Sequence, residues 1–353
     1  MKMKRILHIA PQNFAGMPMD FVKMQREAGH EARLVTMFKN TLSFEEDITL
    51  GFSLPTGGTA RKWRDSKMSD VKYYKPKNFA ESIFFKARDF RNSAVIEKLI
   101  NDENLSEYDV YHFDGGMDFY RDLRFAKKLS AAGKKIVCCY FGSDLRSRGI
   151  FRELDEMSSL NLTVEQDHIS LHKNINYLFF PFDVKSCEFK VVNNKKLRII
   201  HSPTNRKFKG TDKILAVTEQ LKKEKDIEFI LAEGMDRSRL LELKRTCDAA
   251  IDQVGGELGG SGYGKNSIEN LAMGLPTITE FTDEYLNFLP ENPFISVNID
   301  TLKDAIIEIA DNRQLLEDYA HKGRAWAEKY HSFEAVNSKL EELYVKHSII
   351  QFD

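Results

Sequence analysis

The sequence predicts an α/β protein built from two doubly wound parallel sheets, and three observations carry that reading. At 353 residues the chain exceeds what one core usually supports, and a norm of about 150 residues per domain points to two. Short β-rich runs alternate with helical patterns along the whole chain, the rhythm of parallel strands joined by crossover helices. A break at Pro181-Phe182-Asp183, followed by a polar stretch at 191–196, separates two series of such runs. The boundary is therefore expected near residue 184, giving domains at 1–183 and 184–331.

In the first series, strands are expected at 5–10, 31–36, 110–113, 135–140, 160–164 and 177–180. In the second they are expected at 197–201, 228–232, 249–252, 276–279 and 294–296. Helices fill the intervals: 18–28, ended by Gly29 as a left-handed cap, then 211–223, 238–245, 266–273, 302–312 and 313–329. A final amphipathic helix at 332–347 can pack back on the first domain. Residues 38–90 break the regularity. Cations including Arg61, Arg64, Lys72, Lys86 and Arg88 outnumber acids there, with Trp63, Tyr73, Tyr74, Phe79, Phe84 and Phe85 between them. One reading is a solvated loop followed by an amphipathic helix from Phe79 with its aromatics in the core. The other, given less weight, is a surface at 61–91 that meets an anionic or lipid-linked substrate and touches a membrane peripherally, since basic segments attract acidic head groups.

Composition narrows the function classes. With 42% hydrophobic and 30% charged residues, the chain can bury ordinary cores and is not a disordered protein. The 52 basic residues nearly cancel 53 acidic ones, so no wide nucleic-acid footprint is expected. The apolar run near the amino terminus is interrupted by His8 and too short for a secretory signal. No stretch approaches the roughly 18 apolar residues that would span a bilayer. Cys138, Cys139, Cys187 and Cys247 have no C-x-x-C spacing. They are read as reduced thiols of a cytoplasmic protein.

Three segments carry chemistry. The first is the strand at 5–10, a loop with Gly16, and a helix start, an arrangement that offers main-chain N–H groups to an anion. It is a weak signal alone, because most such turns bind nothing. The second is the turn at 202–210, where Arg206, Lys207 and Lys209 crowd the segment after the first strand of the second series. Ligands of open α/β sheets lie at the carboxyl ends of the strands, so Arg206 and Lys209 are suited to a diphosphate; the alternative is a solvated loop. The third runs from Gly255 to Glu269 and holds six glycines in its first ten residues. Its backbone can approach a ligand closely, and the helix opening near Lys265 aims its positive dipole end there. Glu269 lies one turn further on the same face, placed to accept hydrogen bonds from sugar hydroxyls rather than to meet phosphate. Gly259-x4-Gly264-Lys265 nearly spells a nucleotide-triphosphate P-loop, but Asn266 stands where a magnesium-binding Ser or Thr is needed.

The block Gly262-Tyr263-Gly264-Lys265-Asn266-Ser267-Ile268-Glu269-Asn270-Leu271-Ala272-Met273-Gly274-Leu275-Pro276 resembles the glycine turn, glutamate helix and A-x-G-x-P block of the large retaining family of GT-B glycosyltransferases (family 4, group 1). The amino-terminal strand and loop, Asp109-Val110-Tyr111-His112, Phe141 to Arg146, and Arg206 with Lys209-Gly210 extend the resemblance over nearly the whole chain. It implies two Rossmann-like domains facing a central cleft. It implies transfer of a hexose-type sugar from a nucleotide-diphosphate donor such as a UDP-sugar to a glycan or lipid-linked acceptor, with retention, in polysaccharide biosynthesis. Arg206 and Lys209 would hold the diphosphate and Glu269 the ribose, with Ser261, Gly262, Tyr263, Gly264, Lys265 and Asn266 around the distal phosphate and sugar. Gly16 would let the amino-terminal loop close on the phosphates. Two positions depart from the family pattern: Ser261 replaces an acid, and Asp114 replaces a histidine.

Breaking a sugar–phosphate bond puts negative charge on the leaving diphosphate, which fixed cations and a helix N-terminus stabilise directly. The chain has no Asp-x-Asp pair to hold a divalent ion, so neither metal nor other cofactor is expected. His168 and His172 have i, i+4 spacing but no evident third ligand. Asp114 is the candidate for contacting the donor sugar or orienting the acceptor. Asp144 and Arg146 are candidates for the acceptor side, against the alternatives of a loop cap and a surface ion pair. Two other functions stay open: a nucleotide-sugar-binding subunit without turnover, and a P-loop-like NTPase.

Overall fold

The computed structural model describes residues 3–40, 44–53, 72–76, 78–257 and 262–350. The chain divides into two compact units, Met1–Pro181 together with Val336–Asp353, and Phe182–Ala335.

The first unit holds a seven-stranded sheet: β1 (Arg5–Ala10), β2 (Glu31–Phe38), β3 (Ile48–Phe52), β4 (Val110–Asp114), β5 (Lys135–Tyr140), β6 (Leu160–Thr163) and β7 (Ile175–Tyr177). The order is β3-β2-β1-β4-β5-β6-β7, and every pairing is parallel. Strands β1, β4 and β5 are buried along nearly their whole length, as strands with helices on both faces must be. Strand order reverses between β1 and β4, so a ligand crevice of this sheet lies at their carboxyl ends.

The second unit holds β8 (Leu197–His201), β9 (Ile227–Leu231), β10 (Ala249–Ile251), β11 (Thr277–Thr279) and β12 (Ile295–Ser296), again all parallel. Their order is β12-β11-β10-β8-β9, with the reversal between β8 and β10. Consecutive Ile199 and Ile200 of β8 belong to different apolar clusters. The two-residue period of a strand sends them to opposite faces, and both faces are covered.

Three expectations need correction. Strand β3 lies in the stretch expected to be irregular; it is a half-buried edge strand whose short sequence carries little apolar signal. The apolar run 177–180 is mostly not strand: β7 ends at Tyr177, and Leu178 and Phe180 are buried beyond it. The helix Phe79–Asp102 forms, capped by the Asn78 side chain, but Phe79, Phe84 and Phe90 are exposed. Its first half meets the rest of the unit through polar contacts: Tyr74 Oη donates to Glu81 and the Arg121 amide donates to Asp89. Residues 61–71 and 77 lie outside the described residues, so the reading of 61–91 as a whole rests partly on chain not described. Among the described residues no helix is long and apolar enough to cross a membrane, and the four cysteines are free thiols.

The helix Phe333–Lys346 delivers Tyr344 to the core of the first unit. Tyr344 Oη bonds His112 Nε2 and accepts from Gln25 Nε2 at 3.4 Å. Gln25 Oε1 lies 2.9 Å from His8 Nε2, and His8 Nδ1 lies 2.9 Å from Asp114 Oδ2. Along this chain Gln25 donates to Tyr344 and Tyr344 to His112, while Asp114 Oδ1 and His112 Nδ1 are buried without a hydrogen-bond partner among the described residues. Burial, and then the charge of His8, hold His112 well below the usual histidine range, consistent with a neutral acceptor. Tyr344→Phe removes the link while keeping the ring, leaving buried polar groups on Gln25 and His112 unpaired. We expect a loss of about 1–3 kcal/mol in urea unfolding; no change would mean that the Tyr344 hydroxyl is not part of what secures this helix.

Candidate functional site

In the second unit the chain leaves β8 through 202–205 and forms the short helix Arg206–Lys209. Asn205 caps it, accepting from the Lys207 and Phe208 amides at 3.1 and 3.2 Å. Gly210 ends it in the left-handed region, at φ +69°. A Cβ on Gly210 would sit 1.9 Å from the Val254 carbonyl oxygen, and one on Gly256 would sit 2.0 Å from that of Phe208. Glycine at both positions is what lets the cationic turn lie against the segment that follows β10. Two main-chain bonds hold it there, Val254 N to Lys209 O at 3.3 Å and Glu257 N to Lys207 O at 3.1 Å.

Asp252, the first residue after β10, is 1% exposed and gathers three donors. They are Lys209 Nζ at 2.8 Å, Asn266 Nδ2 at 3.1 Å and Ser267 Oγ at 2.7 Å. Burial alone would raise its pKa, but the Lys209 ammonium and these hydrogen bonds hold it below the usual carboxylate range. Asn266 and Ser267 belong to the first turn of the helix Lys265–Ala272, whose N-cap, Gly264, supplies no side-chain bond. One buried carboxylate thus ties the cationic turn to the start of the glutamate helix.

The network continues outward. Asn266 Oδ1 accepts from Lys244 Nζ at 2.7 Å and from Ser202 Oγ at 3.3 Å. Lys244 Nζ also reaches Glu269 Oε1 at 2.7 Å, and Arg237 Nη2 reaches Glu269 Oε2 at 2.5 Å. Lys244 is 1% exposed and Glu269 3%. Burial works against the Glu269 charge, yet Lys244 and Arg237 hold its pKa below the ordinary value. Arg206 stands at the rim, donating to Glu233 at 2.7 Å and Asp212 at 2.5 Å. The two expected diphosphate ligands therefore differ: Lys209 is built into the network, while Arg206 forms exposed ion pairs.

The glycine turn is fixed from below. Gly262 has φ +93°, and a Cβ there would strike the Tyr285 ring at 2.6 Å. Its carbonyl accepts from Gln253 Nε2 at 2.7 Å. Tyr263 packs its ring against Phe294 and Trp326 and bonds His331 at 2.9 Å, so its side chain anchors the turn. Ser261 and Gly259, and with Gly259 part of the P-loop-like spacing, lie outside the described residues.

In the first unit Gly16 is left-handed, at φ +75°, and opens the helix Met17–Glu27 at the carboxyl end of β1. Asp114 ends β4, is 1% exposed, and is held by His8. A Cβ on the next residue, Gly115, would be 3.5 Å from Asp144 Oδ2 and 3.7 Å from Pro11 Cδ. Asp144 thus stands at the same sheet edge. It accepts from the amides of Phe141, Gly142 and Leu145, each at 2.8 Å, and so organises its own loop. Arg146 pairs with Glu165 and Asp167. His168 bonds Thr163 and Gly142, and His172 bonds Asp155 and the Asn174 amide, so all four ring nitrogens have protein partners. His8, His112 and Asp114 bring potential ligand atoms within 4.8 Å of one another. The two imidazoles are stacked at 4.2 Å, however, and stacked rings direct their in-plane lone pairs side by side rather than at one point. A hydrogen-bond network describes this cluster better than a metal centre.

Sequence reasoning missed Asp252 as the hub, together with Lys244, Arg237 and Glu233. Asp252 had a signal, an acid at the carboxyl end of an expected strand. Lys244 had none, because a lysine late in a polar helix reads as solvent-facing.

No protein-family model and no curated protein matches the chain. Solved structures do. It is similar to a glycosyltransferase from Rickettsia africae ESF-5, with TM-score 0.64 and 12% identity over 98% of this chain and 99% of that one. It is similar to Anabaena Alr3699/HepE in complex with UDP and glucose, with TM-score 0.60 and 11% identity over 97% and 100%. It is also similar to sucrose-phosphate synthase from Thermosynechococcus elongatus, with TM-score 0.58 and 12% identity over 97% and 99%. The fold is thus that of GT-B glycosyltransferases, two parallel-sheet α/β units.

Removing Lys244 tests the buried network. Lys244→Met leaves the Glu269 carboxylate without its inward partner and should destabilise the chain by about 3–5 kcal/mol in chemical unfolding. Adding Glu269→Met should recover much of that loss. A single-variant loss under about 1 kcal/mol, the scale of surface pairs, would contradict the assignment.

Proposed function

We propose that this chain is a glycosyltransferase that binds a nucleotide-diphosphate sugar at the carboxyl ends of β8 and β10. On this reading it moves the hexose to a glycan or lipid-linked acceptor taken by the first unit. The observation that carries the proposal is the convergence, through Asp252, of Lys209 and the start of the helix Lys265–Ala272 at the reversal of strand order. A crevice there with a fixed ammonium and a helix N-terminus favours a diphosphate. The fold shared with HepE, a protein solved with UDP and with UDP-glucose, supports a UDP-sugar as donor.

In this reading Lys209 and the helix start stabilise the charge that develops on the leaving diphosphate, and Arg206 exchanges its surface acids for phosphate oxygens. Glu269 keeps one oxygen on Lys244 and offers the other, now on the exposed Arg237, to the ribose hydroxyls. The acceptor hydroxyl attacks the anomeric carbon from the face the diphosphate leaves. A carbon–oxygen bond to the acceptor forms as the bond to phosphate breaks, and the hydroxyl proton passes to the departing phosphate oxygen. Configuration is retained, with no covalent protein intermediate and no metal required. Asp114, fixed by His8, orients the acceptor.

A thermal-shift panel of UDP-, GDP- and dTDP-sugars tests the proposal. A ligand at about a hundred times its dissociation constant should stabilise by about 2.7 kcal/mol, and a UDP-sugar is the expected hit. Arg206→Ala should weaken that ligand at least tenfold while leaving the unliganded melting temperature nearly unchanged, because its ion pairs are exposed. Unchanged affinity in this variant would remove Arg206 from the site, and binding with no transfer to any acceptor would favour a non-catalytic nucleotide-sugar-binding subunit.

A further inference from the structure

The first unit carries a second cationic cluster, beside the edge where Asp114 and Asp144 stand: Arg148 donates to the carbonyls of Gly115 and Gly116. Arg121 follows β4 in the chain, and its Nε and Nη1 are buried without a hydrogen-bond partner among the described residues. Its guanidinium lies against three aromatic rings, 4.1 Å from the Phe85 centroid, 5.2 Å from Tyr74 and 5.3 Å from Phe151. Aromatic faces attract a cation but offer no oxygen to in-plane N–H groups. Arg148 stands 5.1 Å from the centroid of the same Phe151 ring, and its charge is the strongest that Arg121 feels. Arg148 donates to main-chain oxygens of Gly115, Gly116 and Gly149, which carry no net charge.

The nearest acids are already engaged: Asp144, whose charge works against the effect of burial on Arg148, accepts from three main-chain amides. Asp89 spends one oxygen on Arg88 and the other on the Arg121 main-chain amide. Among the described residues neither Arg121 nor Arg148 forms an ion pair. Burial, and next the charge of Arg148, push Arg121 down to about 9, and burial lowers Arg148 as well. Lys72 and Arg152 add charge nearby, both over the Tyr73 ring, and the main chain at Lys72 and Tyr74 is hydrogen-bonded to Ile150. Buried cations without counter-ions are costly unless something is built to meet them. Planar guanidinium forks match the oxygens of phosphate.

We propose that Arg121 and Arg148 form an oxyanion site in the first unit that takes a phosphate or diphosphate group of the acceptor. The proposal rests on the glycosyltransferase reading for the word acceptor, but the site itself does not. It gives a function to part of the basic and aromatic stretch singled out in the sequence, through Lys72, Tyr74 and Phe85.

Titrating the full chain with inorganic pyrophosphate at saturating UDP tests it. Wild type and a control variant outside both sites, Lys222→Gln, should bind alike, while Arg121→Gln and Arg148→Gln should each bind at least tenfold more weakly, with a shallower salt dependence. Equal pyrophosphate affinity in wild type and both arginine variants would overturn the site. UDP-induced stabilisation, read in parallel, separates the two claims. If UDP fails to bind but pyrophosphate depends on Arg121, the oxyanion site stands and the donor reading falls. If UDP binds and pyrophosphate is indifferent to Arg121, the reverse holds. Should either variant fold poorly, wild-type protein decides: pyrophosphate should protect Arg121 and Arg148 from phenylglyoxal, mapped by peptide mass, and equal labelling would overturn the proposal. Phosphatidylcholine vesicles with and without phosphatidic acid identify the source. Arg121-dependent binding to the acidic vesicles supports a lipid-borne phosphate, and Arg121-dependent binding of pyrophosphate alone supports a soluble one.

Discussion

A carboxylate that cannot reach water must be met by donors, and Asp252 is met by three. Because those donors come from the turn after β8 and from the first turn of the helix Lys265–Ala272, satisfying one buried charge fixes the spacing of two segments that are distant in sequence. The glycines at 210 and 256 permit the close approach, and Asp252 gives it a reason to persist. On the proposed reading, a pre-set ammonium and helix start would need little reorganisation as charge develops on a bound diphosphate.

The first unit has a buried acid at the equivalent place that is only partly met: Asp114 Oδ1 has no hydrogen-bond partner among the described residues, and burial raises its pKa where that of Asp252 is held down. Asp114 ends β4 beside the reversal of strand order, buried as Asp252 is, and is met by His8 from the neighbouring strand. From there the hydrogen bonds run inward through Gln25 to Tyr344 on the last helix. Each sheet therefore carries an acid at its switch point. In the second unit the surroundings of that acid are cationic and in the first they are histidine-based. The arginine pair beside Gly115 and Gly116 adds to the first unit a positive field that its hydrogen-bonded core lacks.

The strands β1, β2, β4, β5 and β8 were legible within a residue or two, because burial on both faces leaves continuous apolar runs; the partly buried edge strand β9 was legible from its own apolar residues. The edge strands β3 and β7 were not: β3 has only alternate residues half-buried, and near β7 the apolar run marks burial rather than pairing. In the site, Arg206, Lys209, Glu269 and the glycine turn could be singled out because glycine density and cation crowding are local properties. Their partners could not, since whether Lys244 turns inward to Glu269 or Arg206 outward to Glu233 depends on contacts between segments. The roles of Asp144 as loop organiser and Arg146 as an ion-pair member were visible only as alternatives for the same reason.

Amide hydrogen exchange with and without UDP tests the central claim most directly, because it reports where the nucleotide acts without a substitution that could disturb the Asp252 network. The account predicts slower exchange at residues 202–210 and 262–269, with little change elsewhere in the second unit. Protection that spares both segments, or that falls only around β1 and β4, would contradict it.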